Sequence, residues 1–383
     1  MYLDNAATAF PRPDCVIDAV QTWLRCGGSP SRGSHSAAVG ASSLLLQTRS
    51  ALATLLDAPH PNSIVFTPGC TASLNTVILG LLQPGDHVIA SELEHNSVLR
   101  PLHFLLQSRQ ISLDLLPFDP GTGLIHPEQL RQALTARPAR LVVLSHASNV
   151  LGRVQPIAEL TQVAHQHKAL VLLDAAQTVG HWPCSMSRLN VDFLAASAHK
   201  GLAGPQGVGF IAFSPNTQNL IEPLVRGGTG SDSLSLEQPQ TLPDRFESGT
   251  PNLPGIAGLL AATKLALQTL PSRHQQLVRQ TNQLVHELAL IPGIKMLTPH
   301  APHEICGIVS FVIDGFDPAD AATILDQACD IQARAGLHCA PLAHQRLGTA
   351  SSGGAIRFSP GLHTTDSDIT TAISAIQQLS QSR

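Results

Sequence analysis

Short apolar segments alternate with longer helical patterns through the first half of this 383-residue chain. The apolar segments are rich in leucine and β-branched residues and are mostly bounded by polar or turn-forming residues, which predicts buried strands. They cover residues 63–66, 87–90, 111–116, 141–144 and 170–173. The patterns between them predict helices over residues 71–82, 96–107, 128–136 and 157–167. Alternation of this kind builds βαβ units, so the sequence predicts an α/β fold with a mostly parallel sheet.

Two further predicted strands, at 193–196 and 207–212, lie too close together in the chain for a helix between them. We therefore predict that they form an antiparallel hairpin, which would bring the large sheet to seven strands.

The pattern changes after about Thr250. Two helical patterns at 255–270 and 274–291 are followed by strands at 308–312 and 356–358 and a helix after Thr365. This order predicts an α+β unit of ordinary domain size. The predicted organisation is a large α/β domain of residues 14–252 and a smaller α+β domain of residues 253–383, joined by residues 1–13.

The composition excludes one broad class of function. Hydrophobic residues make up 43% of the chain, whereas charged residues make up only 13%, against roughly 25% in an average globular protein. The net charge is −4 and aromatic residues are 4% of the chain, so neither a basic surface nor base-stacking platforms are available for nucleic acid. We expect a compact enzyme-like protein with no nucleic-acid partner.

The cysteines and the amino-terminal segment indicate the cellular compartment in which the protein is expected. The seven cysteines are scattered, without a CxxC pair, which argues against a disulfide framework or a zinc site and predicts a reducing compartment. The opening MYLDNAATAFPRPD has no apolar run of the kind found in signal peptides, and no uninterrupted apolar stretch reaches eighteen residues. We expect a cytoplasmic protein with no metal and no membrane partner.

Lys200 is the first candidate for chemistry. The chain contains only four lysines, and Lys200 alone directly follows a predicted buried strand, in SAHKGLAGPQGVGF. The glycines after it would let a ligand approach the backbone closely. An ordinary turn lysine between two strands explains the spacing equally well.

Asp174 ends a fully apolar strand in ALVLLDAAQTVG, with Gln177 three residues later. Open α/β sheets bind ligands at the carboxyl ends of their strands, and a buried carboxylate needs a cation or hydrogen-bond donors. Capping of the next helix is the alternative explanation for this aspartate.

Two weaker candidates lie at the ends of other predicted strands. Thr71 and Ser73 in PGCTASLNTVI stand at a helix start, where backbone N–H groups and hydroxyls can bind phosphate, although such residues are also common helix caps. His95 in SELEHNSVLRP follows another strand, and packing is the more frequent role of a single histidine. All these features should meet at one edge of the sheet.

Taken together, these groups match the needs of one cofactor. A lysine amine can hold a carbonyl compound as a Schiff base, and a buried acid can keep a pyridine nitrogen protonated. A helix start can anchor a phosphate, and an imidazole can stack on a ring. The set therefore predicts a pyridoxal phosphate site.

The motifs, in order from YLDNAAT to GAIRFSPGLHTT, resemble those of the class V aminotransferase family, and within it those of the cysteine desulfurases and selenocysteine lyases. The resemblance covers nearly the whole chain and implies the fold type I architecture of pyridoxal-phosphate enzymes. It implies that Lys200 is the Schiff-base lysine, that Asp174 pairs with the pyridinium nitrogen, that Gln177 approaches the ring oxygen and that His95 stacks on the ring. The remaining implied residues are Cys70, Thr71, Ser197 and His199 at the phosphate, Asn149 at the cofactor and substrate, Arg357 and His35 at the substrate, and Thr250, donated across a homodimer interface.

The same resemblance implies a nucleophile. Cys339 in RAGLHCAPLAH lies 18 residues before Arg357, and this resembles the short RxGxxC context of one desulfurase branch. The implied reaction takes sulfur from L-cysteine, releases L-alanine and leaves a persulfide on Cys339 for an acceptor protein. A structural thiol is the alternative for Cys339. The alternative functions are a cysteine or cystine C–S lyase that releases pyruvate and ammonia, a selenocysteine lyase, and a catalytically silent scaffold.

Overall fold

The computed structural model describes residues 1–30, 33–109, 111–231, 234–301 and 304–381. These residues contain eleven α-helices and two β-sheets. The helices are α1 (Asp14–Cys26), α2 (Ser36–Leu56), α3 (Cys70–Leu81), α4 (Asn96–Ser108), α5 (Pro127–Ala136), α6 (Ile157–Gln166), α7 (Met186–Leu189), α8 (Leu253–Ala289), α9 (Pro318–Cys329), α10 (Pro341–Arg346) and α11 (Asp366–Gln381). Short 3-10 helices cover Pro61–Ser63, Thr217–Leu220 and Ala350–Ser352.

The large sheet has seven strands and is mostly parallel, as predicted. Its strands are β1 (Ile64–Thr67), β2 (His87–Ser91), β3 (Ser112–Leu116), β4 (Leu141–Ser145), β5 (Leu170–Asp174), β6 (Phe193–Ser197) and β7 (Gly209–Phe213). The spatial order is β1-β7-β6-β5-β4-β2-β3, and the four pairings from β6 to β3 are parallel. The predicted hairpin is confirmed, since β6 pairs antiparallel with β7.

The order of the strands explains why the candidate residues meet. Parallel strands end at the same edge of a sheet, and Ser145 at the end of β4 lies directly opposite Asp174 at the end of β5. Ser197 ends β6 at the same edge, and His95 follows β2. Each of these ends carries the chain into a turn or helix start, where polar side chains are available to a ligand.

The second sheet is entirely antiparallel. Its order is β10 (Arg334–Gly336), β11 (Ala355–Phe358), β9 (Val309–Ile313) and β8 (Ile294–Met296). The amino-terminal residues reach this part of the molecule, because Tyr2 forms a β-bridge with Gln332 and Asp4 forms one with Ser359. The predicted division at residues 252 and 253 stays a prediction.

One element differs clearly from the sequence prediction. The two helices expected at 255–270 and 274–291 are a single 37-residue helix, α8, with Pro271 inside it. A proline within a helix removes one N–H donor and usually kinks or ends the helix. Here packing outweighs that cost, since α8 lies against α1, α2 and α11.

Helix α8 also connects the two hydrophobic cores. Its first half packs in the core beneath the large sheet, and its last turns pack with the small sheet. By length and composition α8 is apolar enough to cross a membrane, but more than half of its most apolar stretch is buried inside the protein. Such burial is typical of a core helix.

Candidate active site

A cavity of about 260 Å³ opens at the carboxyl edge of the large sheet, where the small sheet approaches it. This volume is close to the lower end of the range of roughly 300–1,000 Å³ for ligand pockets. The polar side chains that line it come from both halves of the chain. They are Cys70, Thr71, His95, Ser97, Ser145, Asn149, Asp174, Gln177, Ser197, His199, Lys200, Arg334, His338, Cys339 and Arg357.

Lys200 lies in the turn that follows β6. Burial lowers the pKa of its ammonium group, and the nearby Asp174 carboxylate opposes that shift. A desolvated lysine has a larger neutral fraction at neutral pH and is a better nucleophile and base than an exposed one. Lys200 is therefore the amine in this cavity best prepared to react with a carbonyl group.

Asp174 has one carboxylate oxygen committed to the protein and one available. The Ala176 N–H donates to Oδ1 at 2.9 Å, and the Cys70 thiol donates to the same atom at 3.4 Å. In the described part of the chain no hydrogen bond to Oδ2 is present, although only 7% of the residue is exposed. An unpaired carboxylate oxygen on a mostly buried residue at the cavity suits a ligand that carries a hydrogen-bond donor or positive charge.

The start of α3 forms another wall of the cavity. The Cys70 N–H donates to Ser197 Oγ at 2.9 Å, and Thr71 Oγ1 lies 2.8 Å from Ser97 Oγ at the start of α4. The first N–H groups of a helix have no partner within it and favour an anion. Two helix starts and their hydroxyls thus border one space.

Gly209 allows this close arrangement. A Cβ atom added at Gly209 would lie 2.6 Å from the backbone of Gly69, immediately before α3. Only glycine leaves room for such an approach between two backbones. The glycine-rich segment after Lys200 therefore admits another part of this chain, where the sequence had suggested room for a ligand.

His95 is the N-cap of α4, and its Nδ1 accepts a hydrogen bond from the Ser97 N–H at 3.0 Å. Because Nδ1 accepts, the ring proton of the neutral imidazole must be on Nε2. Burial lowers the pKa of His95 to about 4, although Asp174 favours the charged form. The imidazole is therefore neutral at pH 7, with a defined tautomer.

Arg357 lies opposite, on β11, and is 98% buried. Its Nη2 donates to Asp4 Oδ1 at 2.8 Å, and its Nη1 donates to the Asn149 carbonyl at 3.1 Å. Arg357 Nε and Asn149 Oδ1 are buried without a hydrogen-bond partner in the described residues. A donor and an acceptor left unpaired beside one cavity indicate a polar ligand.

Arg334 also lines the cavity, and the sequence analysis did not single it out. It is on β10, directly opposite Arg357 in the antiparallel pairing of β10 and β11. Two guanidinium groups side by side repel each other unless an anion lies between or near them. The signal for Arg334 was present in the sequence, because it is the arginine of RAGLHC.

Cys339 lies in a turn between β10 and α10, and the turn has an unusual backbone. Both His338 and Cys339 have positive φ angles, 50° and 57°. The left-handed conformation costs a non-glycine residue roughly 1–2 kcal/mol. His338 is buried, whereas Cys339 is exposed at the cavity. The turn thus presents the thiol to the cavity.

The structure brings most of the implied site residues together and leaves two apart. Cys70, Thr71, His95, Asn149, Asp174, Gln177, Ser197, His199, Lys200, Cys339 and Arg357 all line the cavity. His35 and Thr250 are exposed and are not among the lining residues. His35 caps α2, its Nδ1 accepting from the Ala38 N–H. The roles of all these residues stay predictions.

Comparison with known proteins agrees with this arrangement. The sequence profile of the family described as aminotransferase class-V matches residues 1–371. The chain belongs to the class-V aminotransferase family. The members of this family, which include cysteine desulfurases, are pyridoxal-phosphate enzymes.

Several relatives of this chain are named cysteine desulfurases. A probable cysteine desulfurase of Methanothermobacter thermautotrophicus is 34% identical, over 96% of this chain and 92% of the relative. A cysteine desulfurase of Dickeya dadantii is 32% identical, over 99% of this chain and 91% of the relative.

Solved structures give the same result for the fold. The apo cysteine desulfurase of Thermococcus onnurineus superposes on this chain with a TM-score of 0.93 at 29% identity, covering 100% of this chain and 95% of that one. A cysteine desulfurase of Escherichia coli gives a TM-score of 0.86 at 29% identity, covering 98% and 94%. The fold type I architecture expected from the sequence is confirmed.

Proposed function

We propose that this member of the class-V aminotransferase family is a pyridoxal-phosphate-dependent cysteine desulfurase. Its reaction would take sulfur from L-cysteine, release L-alanine and leave a persulfide on Cys339. The observation that carries the proposal is that one cavity is lined by Lys200, Asp174, Arg357 and Cys339. An amine, an acid, a carboxylate-binding group and a thiol are the groups that this reaction requires.

The reactive and hydrogen-bonding groups that line the cavity fit the cofactor. Lys200 would hold the aldehyde carbon, and Asp174 Oδ2 would accept from the ring nitrogen. The starts of α3 and α4, with Thr71 and Ser197, would bind the phosphate. When bound, pyridoxal phosphate supplies an electron sink for negative charge at the substrate Cα.

The substrate would lie between the cofactor position and the small sheet. Arg357 keeps an unpaired Nε, and Arg334 stands opposite it. Arginine binds carboxylates through parallel hydrogen bonds, so these side chains would orient the α-carboxylate. The unpaired Asn149 Oδ1 would accept a hydrogen bond from the substrate amine.

Two groups of the chain would then act on the substrate. The Lys200 amine takes the proton from Cα, which its lowered pKa favours. The Cys339 thiolate attacks the substrate sulfur and forms a new S–S bond, while the C–S bond breaks and its electron pair stays with the carbon. The β-carbon then takes a proton, the Lys200 ammonium returns a proton to Cα, and the product is L-alanine. The electrons balance without any added oxidant.

The test of the proposal is the carbon product of L-cysteine turnover by the purified protein. We expect alanine in amounts equal to the sulfur transferred. Pyruvate and ammonia would contradict the proposal and indicate a C–S lyase. A protein without bound cofactor and without turnover would indicate a silent scaffold, and a strong preference for L-selenocysteine a selenocysteine lyase.

Replacing Asp174 by asparagine should separate cofactor binding from turnover. The amide matches the carboxylate in size, but it lacks the negative charge that holds a ring nitrogen protonated, so we expect turnover to fall by roughly 10²–10³-fold. The cofactor content, read from visible absorbance, should stay near that of the unchanged protein. Asp326→Asn, at an exposed position on α9, is the control. Near-normal turnover of Asp174→Asn would contradict the role of Asp174.

The protein is further proposed to act as a homodimer. Leu234 and Leu236, in the segment before Thr250, are about 100% exposed, and Val225 is 63% exposed. Several large apolar side chains exposed within one segment of the chain favour a protein interface. Thr250 lies outside the cavity of its own chain, as expected if it serves the phosphate of a second copy.

Mixed dimers test whether Thr250 of one subunit serves the site of the other. Thr250→Ala and Lys200→Ala subunits, each inactive alone, should recover activity when unfolded and refolded together. One site of each heterodimer would have both intact residues, so about a quarter of the original sites should return at a 1:1 ratio. The measurement is alanine formation by the mixture. Absence of recovery in verified heterodimers would show that Thr250 does not cross the interface.

The sulfur would leave the enzyme from Cys339. This residue is exposed, so an acceptor protein can reach it. We also propose a cytoplasmic location, which the free state of all seven cysteines supports.

A further inference from the structure

The turn that carries Cys339 is held from two sides through its backbone. Asn149 Nδ2 donates to the His338 carbonyl at 2.6 Å, and the Asn96 N–H donates to the Cys339 carbonyl at 2.8 Å. These contacts fix both carbonyl groups of the left-handed pair. They do not involve the side chain of His338, which is 97% buried.

That side chain is fixed by a second histidine. His338 Nδ1 lies 3.3 Å from His344 Nε2, and the two ring planes, with centroids 5.5 Å apart, are inclined to each other by 26°. His344 Nδ1 in turn lies 2.8 Å from Thr349 Oγ1. His344 is on α10 and is completely buried. A chain of three side chains thus runs from the turn, through α10, to the loop that follows it.

Both rings are neutral in the working range of pH. Burial lowers the pKa of His344 to about 4 and that of His338 to about 2, with Arg357 adding to the second shift. The contact is therefore a hydrogen bond between two neutral imidazoles, in which one ring donates and the other accepts.

Helix α10 is itself tied to the wall of the cavity. Arg346, in its last turn, forms an ion pair with Glu92, in the turn between β2 and α4. Asn96, which binds the Cys339 carbonyl, starts α4. The wall of the cavity formed by Glu92 and the start of α4 therefore supports α10 and with it His344, and His344 supports His338.

We propose that His344 is a positioning residue for Cys339: through His338 it holds the left-handed turn that presents the thiol to the cavity. The inference rests on the proposed function, in which Cys339 accepts the sulfur. A non-glycine pair at positive φ persists only where the surroundings impose it. Loss of the histidine contact lets the turn relax, and the thiol then moves away from its position for attack.

Two substitutions of His344 separate this role from simple support of α10. In His344→Gln the amide reaches the position of Nε2, so the contact with His338 is kept and that with Thr349 is lost. In His344→Asn the amide reaches only the position of Nδ1, so the contact with Thr349 is kept and that with His338 is lost. Both variants put a neutral amide in the same buried place.

The experiment measures alanine formation from L-cysteine by the holoenzyme variants, together with visible absorbance. We expect His344→Asn to lower kcat by roughly tenfold to a hundredfold, because misplacement by about 1 Å has effects of this size. KM and cofactor absorbance should stay within twofold, since the other walls of the cavity are unchanged. His344→Gln should keep most of kcat.

Hydrogen exchange gives a second readout that does not depend on turnover. The Ala340 N–H donates to the Leu337 carbonyl across the turn at 2.9 Å. Its exchange should be at least threefold faster in His344→Asn than in the unchanged protein, and nearly unchanged in His344→Gln.

The outcomes distinguish failure of the inference on His344 from failure of the proposed function. If Asn keeps kcat and Gln loses it, His344 supports α10 through Thr349 and the inference is overturned. Equal activity of both variants and the unchanged protein overturns it as well. If the unchanged protein forms no alanine, or Cys339→Ser forms it normally, the proposed function itself fails.

Discussion

Cys339→Ser should abolish the formation of alanine from L-cysteine while leaving the cofactor in place. A serine hydroxyl at this position cannot act as a thiolate toward the substrate sulfur. Loss of a nucleophile that acts together with its partners commonly removes most of the rate, and we expect a fall of at least about a thousandfold. The measurement is alanine release under single- and multiple-turnover conditions.

The control for this variant is Cys26→Ser. Cys26 ends α1, is exposed and is not among the residues that line the cavity. It should keep full activity, and both variants should show the same visible absorbance. Alanine formed at the normal rate by Cys339→Ser would exclude this residue as the sulfur acceptor. Pyruvate from both variants would identify a lyase.

Lys200→Ala should remove both turnover and the covalent attachment of cofactor to the protein. Borohydride reduction fixes a carbonyl cofactor to the lysine that holds it. In the unchanged protein the reduced cofactor, which serves as the label, should be found on the peptide containing Lys200. The variant should carry no label there. We expect its turnover to fall by at least about a thousandfold, since the residue both holds the cofactor and moves the Cα proton.

Lys264→Ala provides the matched control, because Lys264 is exposed on α8. It should bind cofactor and turn over normally. A label found at Lys264 or at another lysine, with turnover intact in Lys200→Ala, would contradict the assignment. Since burial of Lys200 is itself costly, the variant should remain folded.

The strands of the large sheet were predictable because their signal is local. Leu170–Asp174 and Leu141–Ser145 are continuous apolar runs that end in a polar residue, and a buried parallel strand has little other pattern available to it. The site followed from the same pattern, because parallel strands place Asp174, His95 and Lys200 at one edge.

The rest depends on contacts between distant parts of the chain. The short strands β8 and β10, with three residues each, exist through their neighbours in the sheet and have little signal of their own. The sequence predicted two helices at 255–270 and 274–291, yet packing on both cores keeps α8 continuous through Pro271. The left-handed backbone at His338 and Cys339 is held through its carbonyl groups by Asn149 and Asn96, which lie far away in the sequence.

The continuous α8 has a consequence for the stability of the whole molecule. At 1.5 Å per residue its 37 residues extend about 55 Å, and both hydrophobic cores require it for their packing. Neither core can melt without removing part of the support of the other, so we expect the two to unfold as one cooperative unit. Damage to the small sheet should therefore reach the large one through the loss of a shared helix.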